Sequence, residues 1–117
     1  MKSVKKNHIV LTTINYPLVL ETLWKNLDRF GHLDTCQVWV VADRKTPAES
    51  ANLCRVMTEK GLETTYLDIA SQDTWGNSVY RPFYERIPYN NETRRNIGYL
   101  CALEQKCERL IYIDDDN

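Results

Sequence analysis

The chain has 117 residues, 43% of them hydrophobic and 26% charged, which suffices for one modest core and is too apolar for a disordered segment. Lys and Arg number 15 against 16 Asp and Glu, and the net charge of −1 excludes a general attraction to nucleic acid or to an anionic membrane. No segment approaches the roughly 20 consecutive apolar residues of a membrane span.

Residues Met1 to Leu20 begin basic and turn apolar, in outline like a signal peptide, but Asn15 and Pro17 interrupt the run and no small-residue cleavage site follows. Cys36, Cys54, Cys101 and Cys107 form no C-x-x-C pair and sit among apolar residues. They read as buried free thiols of a reducing compartment, so a cytoplasmic protein is expected.

His8 to Thr13 is a β-branched run, followed after Pro17 by Leu20, Leu23, Trp24 and Leu27 at helical spacing. Gln37 to Ala42 is a continuous apolar run of the kind buried on both faces of a parallel sheet. Thr46, Pro47 and Glu49 have the order of a capping box with proline at the first helical position, and Gly61 supplies a stop. Glu63 to Ile69 reads as a third strand. Ala70 to Asn91, with Trp75, Tyr80, Phe83, Tyr84 and Tyr89 among Gly76, Pro82 and Pro88, reads as a long loop, of a length that suggests a lid or substrate wall. From Glu92 to Lys106 the spacing is helical again, with Ile97, Leu100, Cys101 and Leu103 as the apolar side, and Arg109 to Ile113 is a fourth, buried strand.

Strands alternating with helices predict an α/β fold, a Rossmann-like, mostly parallel sheet with flanking helices. Such sheets bind ligands beyond the carboxyl ends of their strands. Polar residues fall at that edge: Thr12 and Thr13 after the first strand, Asp43 after the second, Asp68 at the end of the third, and Asp114, Asp115 and Asp116 after the fourth. In an extended chain, residues two apart share a face with Cα atoms roughly 6.5 Å apart. Asp114 and Asp116 then converge on one ligand while Asp115 points the other way, toward a helix or a ribose. Carboxylates suit hard cations such as Mg²⁺ or Mn²⁺ and leave coordination positions for phosphate oxygens and water. Three like charges at such an edge repel one another unless a cation is present; a solvated acidic turn is the other reading.

The run Asn90 to Asn117, NNETRRNIGYLCALEQKCERLIYIDDDN, with VWVVADRKTP upstream, resembles the nucleotide-sugar-binding half of glycosyltransferases of the GT-A fold. It is most similar to the reversibly glycosylated polypeptide group. In topology the resemblance covers the whole chain; in motif it is specific for residues 90 to 117. It implies that Asp114 and Asp116 are the D-x-D carboxylates holding a divalent cation, Mn²⁺ or Mg²⁺, on the diphosphate of a nucleoside-diphosphate sugar, a UDP-sugar first among them. Asp115 is placed on the nucleotide-sugar as well. Asp43 matches an acidic residue that contacts the nucleoside, Thr12 and Thr13 a segment against the base, and Arg95 with Asn96 a basic-Asn element facing the nucleotide-sugar. Read from the residues alone, Asp43 is equally a turn residue, the threonines are strand formers, and Arg94 and Arg95 are a paired helix face of which only one points at a ligand.

The resemblance further implies that the 117 residues are the amino-terminal, nucleotide-binding portion of a single GT-A domain, with the acceptor-binding portion absent. Two alternatives stand beside glycosyl transfer. A sugar-phosphate nucleotidyltransferase carries a glycine-rich basic loop after the first strand, where this chain reads TTINYPLV without glycine. A non-catalytic α/β module would bind a nucleotide or a protein partner through the acidic edge.

Overall fold

The structure, a computed structural model, describes residues 5–79 and 81–114. Four parallel strands, β1 (Asn7–Thr13), β2 (Cys36–Ala42), β3 (Glu63–Leu67) and β4 (Arg109–Asp114), form one sheet in the order β3-β2-β1-β4. Between them run the helices α1 (Val19–Arg29), α2 (Ser50–Glu59), α3 (Ile69–Val79), α4 (Arg81–Tyr84) and α5 (Arg95–Glu104). The predicted α/β architecture with a parallel sheet and flanking helices is therefore present. Among the described residues no helix is long and apolar enough to cross a membrane.

Side chains alternate across the central strands and build two cores. Ile9, Leu11, Val38 and Val40 meet Leu20 of α1 and Leu53, Cys54 and Met57 of α2 on one face. Val10, Trp39 and Val41 meet Tyr84, Ile87, Ile97, Cys101 and Ala102 on the other. Every residue of β2 is buried, as expected for a strand covered on both faces. Cys36, Cys54 and Cys101 are buried free thiols, and Cys107 is half-buried. Burial pushes the Cys54 thiol up to about 12 and the Cys101 thiol up to about 11, so both pack as small apolar groups.

Several local expectations are corrected. Thr46 does not cap α2, which begins at Ser50 with no side-chain cap; its hydroxyl accepts from the Asp43 N–H and donates to the Thr13 carbonyl, tying the ends of β1 and β2 together. The third strand ends at Leu67, and Asp68 accepts from the Ser71 N–H at the start of α3. The span predicted as loop, 70–91, is largely helical, comprising most of α3 and all of α4. Its mostly polar sequence hides the periodicity, and Gly76, which reads as a break, instead leaves room for the Tyr84 ring: a Cβ there would lie 2.1 Å from Tyr84 Cγ. Finally, β4 is not a buried strand. It lies at the sheet edge with Leu110 38% and Ile111 41% exposed. In the last helix the buried stripe is Ile97, Gly98, Cys101 and Ala102, and Leu103 faces outward.

Gly98 positions the next layer. A Cβ there would meet Val10 Cγ1 at 2.7 Å and Val41 Cγ2 at 2.8 Å. Glycine thus lets α5 lie directly on the sheet, holding its first turn at the carboxyl edge of β1 and β2.

At the opposite end of β1, His8 is fully buried; Trp39 Nε1–H donates to its Nδ1 at 2.9 Å, and Nε2 has no partner among the described residues. Burial lowers its pKa from the ordinary imidazole value, against smaller opposing effects of the nearby Lys5 backbone and the Glu63 charge. Protonation would also set an Nδ1–H against the Trp39 donor. The unfolded chain takes up this proton near pH 6.5 and the folded chain only at lower pH. Stability is thus complete above about pH 6.5 and is lost as pH falls toward the native pKa. Thermal unfolding of the wild type should shift down between pH 7.5 and 5.5 by more than that of His8→Asn, whose side-chain oxygen can accept from Trp39 without titrating; equal shifts would show that His8 is not the cause.

Candidate functional site

The strand order reverses between β1 and β4, since β2 and β3 lie to one side of β1 and β4 to the other. At such a switch point the loops leaving the strands diverge and open a crevice at their carboxyl ends. A crevice of about 390 Å³ lies there, a size that accommodates a small-molecule ligand. It is lined by Thr12 and Thr13 of β1 with Ile14 just after it, by Val41 of β2 with Asp43 just after it, and by Tyr112 and Asp114 of β4; Asn90, Asn91, Glu92 and Arg94 form the wall.

The residues singled out in the sequence divide accordingly. Thr12, Thr13, Asp43 and Asp114 line the crevice, and Thr12 and Asp114 are register partners on adjacent strands. Arg95 and Asn96 are not part of the lining. The Arg95 guanidinium lies over the Tyr112 ring, 5.1 Å from its centroid, and Asn96 Nδ2–H donates to the Thr93 carbonyl. Asp115 and Asp116 lie outside the described residues.

Thr12 Oγ1 and the Tyr112 hydroxyl share a hydrogen bond of 3.1 Å across the strands. Burial first, and then the Asp114 carboxylate, raise the Tyr112 phenol pKa, opposed by Thr12 and Arg95. Thr13 Oγ1 is closed into a turn, accepting from the Asn15 N–H and donating to the Asn15 carbonyl. Asp43, only 7% exposed, accepts from three backbone donors: Arg44 N–H at 2.8 Å and Asn90 N–H at 2.6 Å on Oδ1, and Asn91 N–H at 3.1 Å on Oδ2.

Arg94 has the least ordinary environment. It is 1% exposed and lines the crevice. Its Nε–H and Nη2–H donate to Gln72 Oε1 at 3.0 and 2.6 Å, Nη2–H also to the Tyr84 hydroxyl at 2.9 Å, and Nη1–H to the Ile87 carbonyl at 3.4 Å. Among the described residues no carboxylate forms an ion pair with it. Gln72 completes the arrangement through Nε2–H bonds of 2.7 Å to both Ala42 O and Leu67 O, at the ends of β2 and β3. Only an amide can donate to those carbonyls while accepting from the guanidinium. The acidic Asp73 stands one hydroxyl away, accepting from the Tyr84 and Tyr89 hydroxyls. Burial and then the hydrogen bond to Asp73 raise the Tyr84 phenol pKa, with Arg94 opposing.

Sequence reasoning weighed Arg94 only as one of a pair and missed Gln72 and Tyr112. Tyr112 was within reach, since it sits two residues before Asp114 on the same strand face. Gln72 carried no signal, because its role depends on carbonyls from two other strands.

The donor chemistry here fits a hard divalent cation in part. Asp114, exposed at the end of β4, offers carboxylate oxygen to the crevice, and one or two carboxylates with substrate phosphates are a usual Mg²⁺ environment. Among the described residues no group of three or more His, Cys, Asp or Glu side chains forms a closed metal cage. No protein-family model matches the chain, and no curated protein matches it.

Proposed function

We propose that the crevice binds the nucleotide portion of a nucleoside-diphosphate sugar, a UDP-sugar first among them, and that the chain is the donor-binding part of a metal-dependent glycosyltransferase of the GT-A type acting in the cytoplasm. The observation that carries this reading is the pairing of opposite features at one switch-point crevice. A buried guanidinium with no carboxylate partner among the described residues lines one wall, and a carboxylate lies at the end of the adjoining edge strand. A diphosphate answers both: its oxygens accept from arginine and share a cation with a carboxylate.

Arg94 is anchored at its Nε and Nη2 hydrogens by Gln72 and Tyr84, so its charge is held in place before an anion arrives and little reorganisation is needed on binding. Thr12 and Tyr112 offer hydroxyls to the crevice, and the exposed Ile14 an apolar surface. Asp114 with Asp116 would hold Mn²⁺ or Mg²⁺, which when bound supplies charge neutralisation to a departing diphosphate. Arg94, also in the lining, would add to that neutralisation.

Calorimetric titration with UDP tests the reading. Binding is expected with Mn²⁺ present and to weaken at least roughly tenfold when the metal is removed or Asp114 is replaced by Asn, the scale of losing one charge-assisted contact. Equal affinity with and without metal would remove the cation from the site, and no binding under any condition would overturn the nucleotide reading.

A further inference from the structure

Asp43 stands where the resemblance puts a nucleoside contact, but its carboxylate is already engaged. Both lone-pair directions of Oδ1 are taken by the Arg44 and Asn90 N–H groups, and Oδ2 accepts from Asn91. The bonds from Asn90 and Asn91 reach 47 and 48 residues along the chain, from the end of β2 to the segment that forms the crevice wall.

The tie continues past Asn91. The Asn91 carbonyl accepts from the Arg94 N–H at 3.1 Å, and its side-chain oxygen accepts from the Thr93 N–H at 2.8 Å, starting the short 3₁₀ turn Glu92–Arg94. Asn90 itself holds a left-handed backbone, φ 54°, a conformation that needs local support outside glycine. A continuous set of hydrogen bonds thus runs from the Asp43 carboxylate through Asn91 to the backbone of the buried arginine.

We infer that Asp43 is a positioning residue: it does not read the nucleoside but holds Asn90 and Asn91 against the sheet and through them sets Arg94 in the crevice. This deepens the proposed function yet does not depend on it, since the arrangement exists without ligand.

The test is amide and guanidinium hydrogen exchange, followed by NMR on the ligand-free 117-residue chain, in wild type and Asp43→Asn. The amide of asparagine keeps one acceptor and presents a donor in place of the other, so at least one of the three N–H groups loses its partner. Exchange at Asn90, Asn91 and the Arg94 Nε–H is expected to accelerate at least roughly tenfold, the loss of one charge-assisted bond, while the Val40 and Val41 amides keep their protection. Acceleration confined to Asn90 and Asn91 would reduce Asp43 to a local turn residue and overturn the inference. No acceleration would overturn it in the other direction, leaving Asp43 for a ligand. Should Asp43→Asn lose protection throughout the sheet, the same comparison on Asp43→Ser decides between these outcomes. The UDP titration is read separately: its failure in the wild type removes the proposed ligand and leaves the exchange result intact.

Discussion

Replacing Arg94 with methionine is expected to lower stability by about 2–4 kcal/mol and to weaken UDP binding in the presence of Mn²⁺ about 100-fold. Two effects oppose each other in the stability figure. Removing a buried cation that has no carboxylate partner among the described residues relieves a desolvation cost. The same change leaves Gln72 Oε1, the Tyr84 hydroxyl and the Ile87 carbonyl without the donor each now has, and an orphaned buried acceptor costs about 1–3 kcal/mol. Three such losses outweigh the relief. Arg94→Lys keeps the charge but not the fork that reaches Gln72 and Tyr84 together, and should fall between methionine and wild type in both measurements. Urea denaturation and calorimetry read the two quantities; an affinity unchanged in Arg94→Met would take the arginine out of the site.

The second large effect is expected at Gly76, which touches no part of the crevice. Glycine to alanine inside an exposed helix ordinarily stabilises by about 1 kcal/mol. Here the added Cβ would lie 2.1 to 2.6 Å from three atoms of the Tyr84 ring, near its root where the side chain cannot swing away. Tyr84 is the junction of Arg94 and Asp73, so moving its ring disturbs the arginine as well. Gly76→Ala should therefore destabilise by about 3 kcal/mol, at the upper end of overpacking effects. Combining it with Tyr84→Ala should give a loss smaller than the sum of the two single losses, because one obstruction removes the other. A stabilised Gly76→Ala would mean that the ring is not seated on α3.

How much of this was legible beforehand differs between elements for identifiable reasons. β1 and β2 were plain from their apolar runs because both faces of each are covered. α3 was not, because its residues are mostly polar and Gly76 weakens the local signal; its place is set by Tyr84 packing across it and by Gln72 reaching the ends of β2 and β3. β4 was legible as a strand but not as an edge. Apolar composition alone does not distinguish a strand covered on two sides from one that ends the sheet.

The candidate site divides in the same way. Short-range pattern alone put Thr12, Thr13, Asp43 and Asp114 at the carboxyl ends of strands, and the crevice is lined by all four. Local sequence cannot choose between Arg94 and Arg95, because adjacent helical residues differ by about 100° and the direction of the core decides which turns inward. Packing of α5 on the sheet through Gly98 made that choice: Arg94 is buried at the crevice and Arg95 lies over Tyr112. The α/β class and the carboxyl-edge location followed from periodicity, which is local. The tie from Asp43 to Asn91 joins residues 48 positions apart, the reversal of strand order joins β1 to β4 across as many as 102, and only the folded chain brings those together.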